Sequence, residues 1–521
     1  MRRELTKYLR LPTMSRMETG AVLSRRPAVV GGLLLILMLL TGLGWAVSSP
    51  VESSPDDNYH LGSIWCPRPA GESCQTSVVD GDPVVRVPIA VADESMRCYV
   101  LQSNKSAGCA LGYDDSHMVW SKRFDNGAYP IGYYHFHHLL VGKDVQTSVL
   151  VMRGVNVLIA VTLLGTIGFC APRQLRRPFI GAIVASWVPM GVYFIASNNP
   201  SSWAVSGLMA YSAATFMAPQ QNGRRRIALV ICAVIGAVMC LTSRYDAAFF
   251  LLVVGLALLF AVPWKRGGWI GLTALAGVAL LGVGTFMASS QVSKVAYFLR
   301  VFEASDPAKS ADKQPFFEKL LVGLETAPKY LGGFWGHTWT PGWHDVPLGA
   351  RAPYVLTIMA AGAFVAVGLR RGGWRKWTAL AIIAGSMVLL PALFYANGAM
   401  DTIELYQARY IFPLLAPTFF LMLAVDQDEG AWFTVPQAVW VTVFISLCQT
   451  ITLHTLLLRF VQGAQERWEL DLNKHIEWWW SAPVSPMMVW FLTTCFATAA
   501  LGTAIAMLTR TAEKHEAPQE S

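Results

Sequence analysis

Apolar residues in this chain run in blocks rather than alternating with polar ones. From Ala28 almost to the C-terminus, apolar stretches of about 20 residues recur, each long enough to cross roughly 30 Å of hydrocarbon as a helix. Twelve such blocks are read, which predicts an all-α polytopic membrane protein. They divide the chain into a basic N-terminal segment (1–27), a first span (28–47), a long polar loop (48–147), spans two to seven (148–289), a second long loop (290–352), spans eight to twelve (353–508) and a short polar tail (509–521). The first block is too long for a typical signal-peptide core and no small-residue cleavage site follows, so it reads as an uncleaved anchor.

The loop over 48–147 has a different texture. Asp82 to Val91 and Arg97 to Leu101 carry β-branched residues between turn formers, which predicts a small β-insert. Tyr129 to His138 is aromatic and weakly polar. His135, His137 and His138 read there as amphipathic rings at a membrane waterline, with a metal site as the competing reading. Trp478-Trp479-Trp480, in the last polar loop, reads as a surface helix with an aromatic belt.

Composition supports the membrane assignment, with 54% hydrophobic and 14% charged residues. The net charge of +8 matters through its placement. Basic residues crowd before the first span and in the short loops around Arg176, Arg225, Arg266 and Arg371, so these segments and both termini are expected in the cytoplasm and the long loops outside. The acidic loop Asp426 to Glu429 falls inside on the same count, but carboxylates weigh little in that rule. The basic residues therefore act as topology signals, and no nucleic-acid role is assigned to them.

Cys66, Cys74, Cys98 and Cys109 all lie in the first outer loop, where an oxidising space favours two disulfides. Three pairings exist; nearest neighbours, Cys66 with Cys74 and Cys98 with Cys109, are preferred. Neither spacing resembles a zinc knuckle, and although a divalent metal is compatible with the chain, no motif supports one.

Candidate chemistry begins just after the first span, in Ser54-Pro55-Asp56-Asp57-Asn58-Tyr59-His60. Two adjacent carboxylates in a partly dry site push one pKa upward, and such a group can take a proton from a hydroxyl. The simpler reading is a cap on a helix that begins at Asn58. Arg153, Arg244, Asp246 and Arg409 fall on the same side of the predicted membrane as Asp56 and Asp57. Arg244 and Asp246 either pair with each other or meet a substrate. An arginine at the mouth of a span must face protein, water or an anion, and phosphate is an obvious partner. Trp335, His337 and Trp339 stand in a glycine-rich stretch that serves either as an interfacial anchor or as a sugar-stacking surface. A transporter would place its ionisable groups nearer the midplane.

Taken together, several of these stretches resemble a bacterial polytopic membrane family known as domain of unknown function 2142. The stretches are Pro55 to His60, Pro130 to Tyr134, Met152 to Asn156, Asn199-Pro200, Trp335 to Trp339 and Ala408 to Pro413. Asp57 stands where that family tends to have Glu, His60 is one residue closer, Ala408 replaces a Gly and the cysteine-bearing insert is extra, which leaves the choice of base between Asp56 and Asp57 open. The family in turn resembles membrane glycosyltransferases of the GT-C class, which use polyprenyl-phosphate sugar donors.

That resemblance implies an inverting glycosyltransferase at the outer face of a bacterial plasma membrane, adding a sugar to an envelope glycan or glycolipid. Asp56 or Asp57 is expected as base, His60 as its orienter, and Arg409, Arg153 and Arg244 on the donor phosphate. Tyr410, Gln407, Trp335, His337, Trp339, Asn199 and Asp246 are expected around the substrate. No cofactor is indicated. A flippase or exporter of lipid-linked glycans and a non-catalytic assembly scaffold are the alternatives.

Overall fold

The computed structural model describes residues 16–92, 98–111, 115–186, 188–264, 268–289, 315–336, 339–348, 352–398, 402–403, 406–426, 432–464 and 469–509. His337 and most of the charged stretch of the second long loop lie outside these residues.

The chain is mostly helical. In order come α1 (Arg16–Ala46), α2 (Asp57–Trp65), α3 (Ile89–Ala92), α4 (Gly132–His138), α5 (Val145–Cys170), α6 (Arg173–Ser186), α7 (Pro189–Ile195), α8 (Ser201–Met217), α9 (Gly223–Ser243), α10 (Tyr245–Ala261) and α11 (Trp269–Met287). After the second long loop come α12 (Phe316–Glu325), α13 (Ala327–Gly332), α14 (Ala352–Gly368), α15 (Trp374–Ala396), α16 (Leu415–Ala424), α17 (Val435–Val461) and α18 (Pro486–Thr509). Among the described residues, seven helices are long and apolar enough to cross a membrane: the Ala28–Ala46 part of α1, and α5, α9, α11, α15, α17 and α18. The bent pair α6 and α7 makes an eighth if it is one span, broken where Pro189 begins a new helix without an N–H to continue the old one. This is a multi-pass membrane protein. Its helices expose many large apolar side chains, Ile227, Leu280 and Phe491 among them, as a lipid-facing surface requires.

Small residues set the closest helix contacts. Where α8 crosses α9, a Cβ placed on Gly236 would lie 2.5 Å from the Gly207 carbonyl oxygen, so no larger residue fits without parting the helices.

Between α2 and α4 sits the expected small insert, a three-stranded antiparallel sheet in the order β1 (Thr76–Val79), β2 (Asp82–Pro88), β3 (Met118–Ser121). The β1–β2 turn is Asp80-Gly81, both with positive φ, as a tight hairpin needs. Cys66–Cys74 and Cys98–Cys109 are the two disulfides, the nearest-neighbour pairing. The stretch from Cys98 to Leu101, expected as a strand, is a turn: Cys98 is tied to Cys109 and Leu101 takes φ 58°. Residues 469–485, expected to hold a surface helix, form turns and extended chain instead, and the tryptophans there are fixed by packing: Trp480 Nε1 donates to the Val47 carbonyl at 2.7 Å and Trp478 is buried.

Long-range polar contacts lock the insert onto the helices. The buried Arg459 of α17 pairs with Asp345 at 2.6 Å and donates to the carbonyls of Lys105, at 2.6 Å, and Tyr99. Trp343 Nε1 donates to the Glu52 carbonyl at 2.8 Å, which ties the second long loop to the first.

Candidate functional site

Ser54 and Asp57 fold the start of α2 onto itself. The Ser54 N–H and O–H donate to the two Asp57 carboxylate oxygens at 3.2 and 2.6 Å, and the Asp57 N–H donates back to the Ser54 carbonyl. Asp57 is fully buried, with Arg153 Nη2 at 3.8 Å from its carboxylate. Burial pushes its carboxyl above the usual range, against the pull of Arg153 and Ser54. Arg153 is spent on backbone: its Nη1 donates to the carbonyls of Ala46 (3.1 Å) and Ser49 (2.7 Å), and its Nη2 to Pro50 (2.7 Å) and the Ser53 hydroxyl (3.3 Å). The arginine expected on a donor phosphate therefore staples the end of α1 to α5, and Asp57 belongs to that staple.

Asp56 is built differently. It takes φ 62° and ψ 15°, a left-handed conformation that costs a non-glycine residue about 1 kcal/mol. It stands at the N-cap of α2, which begins at Asp57, yet its side chain makes no cap bond. The left-handed backbone turns its carboxylate away from α2 toward Arg409, whose Nη2 lies 2.6 Å from Asp56 Oδ2. The Asp56 side chain keeps 38% exposure against 3% for that of Arg409, and Arg123 Nη2 stands 3.7 Å from Oδ1. Burial would raise the Asp56 carboxyl, but the guanidiniums of Arg409 and Arg123 outweigh it and hold it below the usual carboxylate range.

Arg409 reaches Asp56 from the short turn before α16. Its Nη1 donates to the Pro55 carbonyl at 3.1 Å and its Nε to Gln407 Oε1. The same Pro55 carbonyl accepts from Asn199 Nδ2 at 3.0 Å, so the loop between α7 and α8 braces the acidic turn as well. His344, at φ 64°, places Nε2 3.3 Å from Gln407 Oε1. Trp339 packs edge-on against His344 at 4.8 Å. Gly333 lets this segment come close, because a Cβ there would lie 2.5 Å from Trp339 and 2.7 Å from Ala408. Trp335 packs on Phe334 at 5.9 Å, which in turn meets Phe412 at 5.6 Å.

Arg244 and Asp246 pair with each other, Nε to Oδ1 at 2.9 Å and Nη2 to Oδ2 at 2.7 Å. Their arginine still faces the site: Arg244 lies 5.7 Å from the ring centres of both Tyr129 and Tyr410, and Arg409 lies 5.1 Å from Tyr410. Tyr410 is thus flanked by two guanidiniums.

His60 does not orient either carboxylate through a hydrogen bond. Its Nδ1 meets the Tyr134 hydroxyl at 2.9 Å, and its ring packs edge-on against Tyr129 at 5.1 Å. Burial pushes it down to about 3, so it is neutral at ordinary pH. Burial likewise brings His344 down to about 4, with Arg409 adding to the shift. His137, expected at the waterline, is fully buried: its Nδ1 meets the Tyr133 carbonyl at 2.9 Å and its Nε2 meets Asn156 Oδ1 at 3.0 Å. Among the described residues no group of three or more His, Cys, Asp or Glu side chains gathers to hold a metal.

Around the Asp56 carboxylate, then, stand Arg409 and Arg123, with Arg244 beyond, walled by Tyr59, Tyr129, Tyr134 and Tyr410. The sequence carried no signal for Arg123, which follows Lys122 in a polar loop. It displayed Tyr129 and Tyr134 as interfacial aromatics, which is half of what they do. Counting Asp56 and Asp246 against the three arginines, with His60 neutral, the site holds one surplus positive charge beside an ionised carboxylate.

No curated protein matches the chain. A family model described as a predicted membrane protein, domain of unknown function 2142, matches residues 39–418, well over half of the chain and the whole of the site around Asp56. The chain therefore belongs to the domain of unknown function 2142 family of membrane proteins.

Proposed function

We propose that the protein is a membrane glycosyltransferase that moves a sugar from a polyprenyl-phosphate donor to a hydroxyl of an envelope glycan or glycolipid. The observation that carries this reading is the half-exposed Asp56 carboxylate set among Arg409, Arg123 and Arg244 under a tyrosine wall. A carboxylate positioned to take a proton and guanidiniums positioned to hold a phosphate are the two functions such a transfer needs. Asp56 removes the proton of the acceptor hydroxyl, the freed oxygen attacks the anomeric carbon, and the polyprenyl phosphate leaves with the bonding electron pair, its charge met by Arg409 and Arg244. Attack opposite the leaving group inverts the anomeric centre. Tyr410 and Trp339 border the arginine side of the site, where a sugar would stack.

Sidedness follows from two supports. Basic short loops favour cytoplasmic termini, and disulfides favour an oxidising compartment for the end that holds Asp56. On this reading the site opens at the outer face of a bacterial plasma membrane. On this reading the protein is GT-C-like with twelve spans, the seven long helices, the bent pair, α8 and the three shorter apolar helices (Tyr245–Ala261, Ala352–Gly368, Phe412–Ala424) each counted as one crossing.

The test is reconstitution of the full chain in liposomes with a radiolabelled polyprenyl-phosphate sugar and an envelope glycan acceptor. Transfer of label into a glycosidic bond is expected. Labelled lipid that crosses the bilayer with no bond made would identify a flippase instead, and neither outcome would leave an assembly scaffold. Transfer also has a predicted pH dependence. Asp56 must be ionised to act and its pKa is lowered in the donor-free protein, so kcat/KM for the donor should hold level from about pH 5.5 to 8 and fall only as the pH drops through that lowered value. With His60 near 3 and His344 near 4, no inflection is expected around the ordinary histidine value of about 6.5. An inflection there would remove Asp56 as the titrating base.

A further inference from the structure

Every nitrogen of the Arg409 guanidinium already has a partner, and the group is buried. Its Nε is engaged by Gln407, its Nη1 by the Pro55 carbonyl and its Nη2 by Asp56. Its side chain is 3% exposed. Of the three partners, the Pro55 carbonyl is fixed between Asn199 and Arg409, and Gln407 is shared with His344. Asp56 alone carries the charge that a phosphate would bring, and its side chain is 38% exposed.

The geometry points to an exchange: an incoming phosphate group takes Arg409 from Asp56, and the carboxylate released by it becomes the working base. This rests on the glycosyltransferase reading and adds a coupling to it. With no phosphate bound, Asp56 is held in an ion pair and is a poor proton acceptor. Once the phosphate has replaced it, Asp56 keeps only the longer contact to Arg123 at 3.7 Å, and its affinity for a proton rises because the nearest positive charge is now neutralised. The acceptor hydroxyl is then deprotonated only when a donor is in place. No bond is made or broken in the exchange itself; one anion replaces another on the same guanidinium.

The experiment measures binding to the purified full chain in nanodiscs of zwitterionic lipid, with farnesyl phosphate as one probe and inorganic phosphate as the other. Asp56→Asn removes the internal competitor and keeps the volume, so it is expected to bind both probes about tenfold more tightly than the native chain, the lower end of what a charge-assisted hydrogen bond contributes. Arg409→Gln should weaken both about as much, and Arg409→Lys, which keeps the charge, covers the case in which the glutamine variant fails to fold. A gain seen with farnesyl phosphate alone would place the site within reach of a lipid-borne phosphate only, and the exchange would still stand. Unchanged or weaker binding by Asp56→Asn, with the native chain binding normally, would overturn the exchange and leave the donor-phosphate reading intact. Failure of the native chain to bind either probe would overturn both.

Discussion

Asp56→Asn is expected to lower glycosyl transfer by about 10²- to 10⁴-fold, the usual contribution of a positioned general base, with no loss of folded protein. The asparagine keeps the shape and its amide oxygen can still accept from Arg409, whose buried guanidinium loses its counter-ion but keeps its bonds to the Pro55 carbonyl and Gln407. Asp57→Asn predicts the opposite profile. Its carboxylate is enclosed and accepts from both the N–H and the O–H of Ser54, and an amide in that place would turn a donor toward other donors. Rate constants measured on matched amounts of folded protein separate the two. Full activity in Asp56→Asn, or selective loss in a well-folded Asp57→Asn, would exchange their roles.

Arg153→Met is expected to cost about 3–5 kcal/mol of stability, the range for breaking one side of a buried ion pair, because it strands the Asp57 charge together with the carbonyls of Ala46, Ser49 and Pro50. Combining it with Asp57→Asn should return part of that loss, since the stranded group is then neutral, so the two changes should fall short of additivity. Thermal inactivation of the purified variants in detergent provides the measurement. A stable Arg153→Met that loses only donor binding would return Arg153 to the phosphate site.

Much of the architecture was legible because its signals are local. The first span, the β2 segment within Asp82 to Val91 and the pairing of neighbouring cysteines each depend on patterns within about 20 residues. The strand expected at Cys98 to Leu101 failed because a disulfide and a left-handed Leu101 outweigh β-propensity there. At the site, sequence placed Asp56, Arg409, Arg244 and Tyr410 in one neighbourhood through their positions at the ends of spans. It could not separate Asp56 from Asp57, adjacent residues of one type whose fates diverge through a single backbone angle, φ 62° at Asp56. Nor could it show that His60 serves Tyr134, that Arg153 holds the backbone, or that Arg123 joins the site. Each of those contacts depends on where a distant segment returns in space.

The hydrogen bond between Arg409 and Asp56 joins positions 353 residues apart. During biosynthesis, the acidic turn emerges first and waits for its guanidinium while 353 further residues are added. A ribosome-bound fragment that ends before residue 409 therefore has its carboxylate without the Arg409 counter-ion.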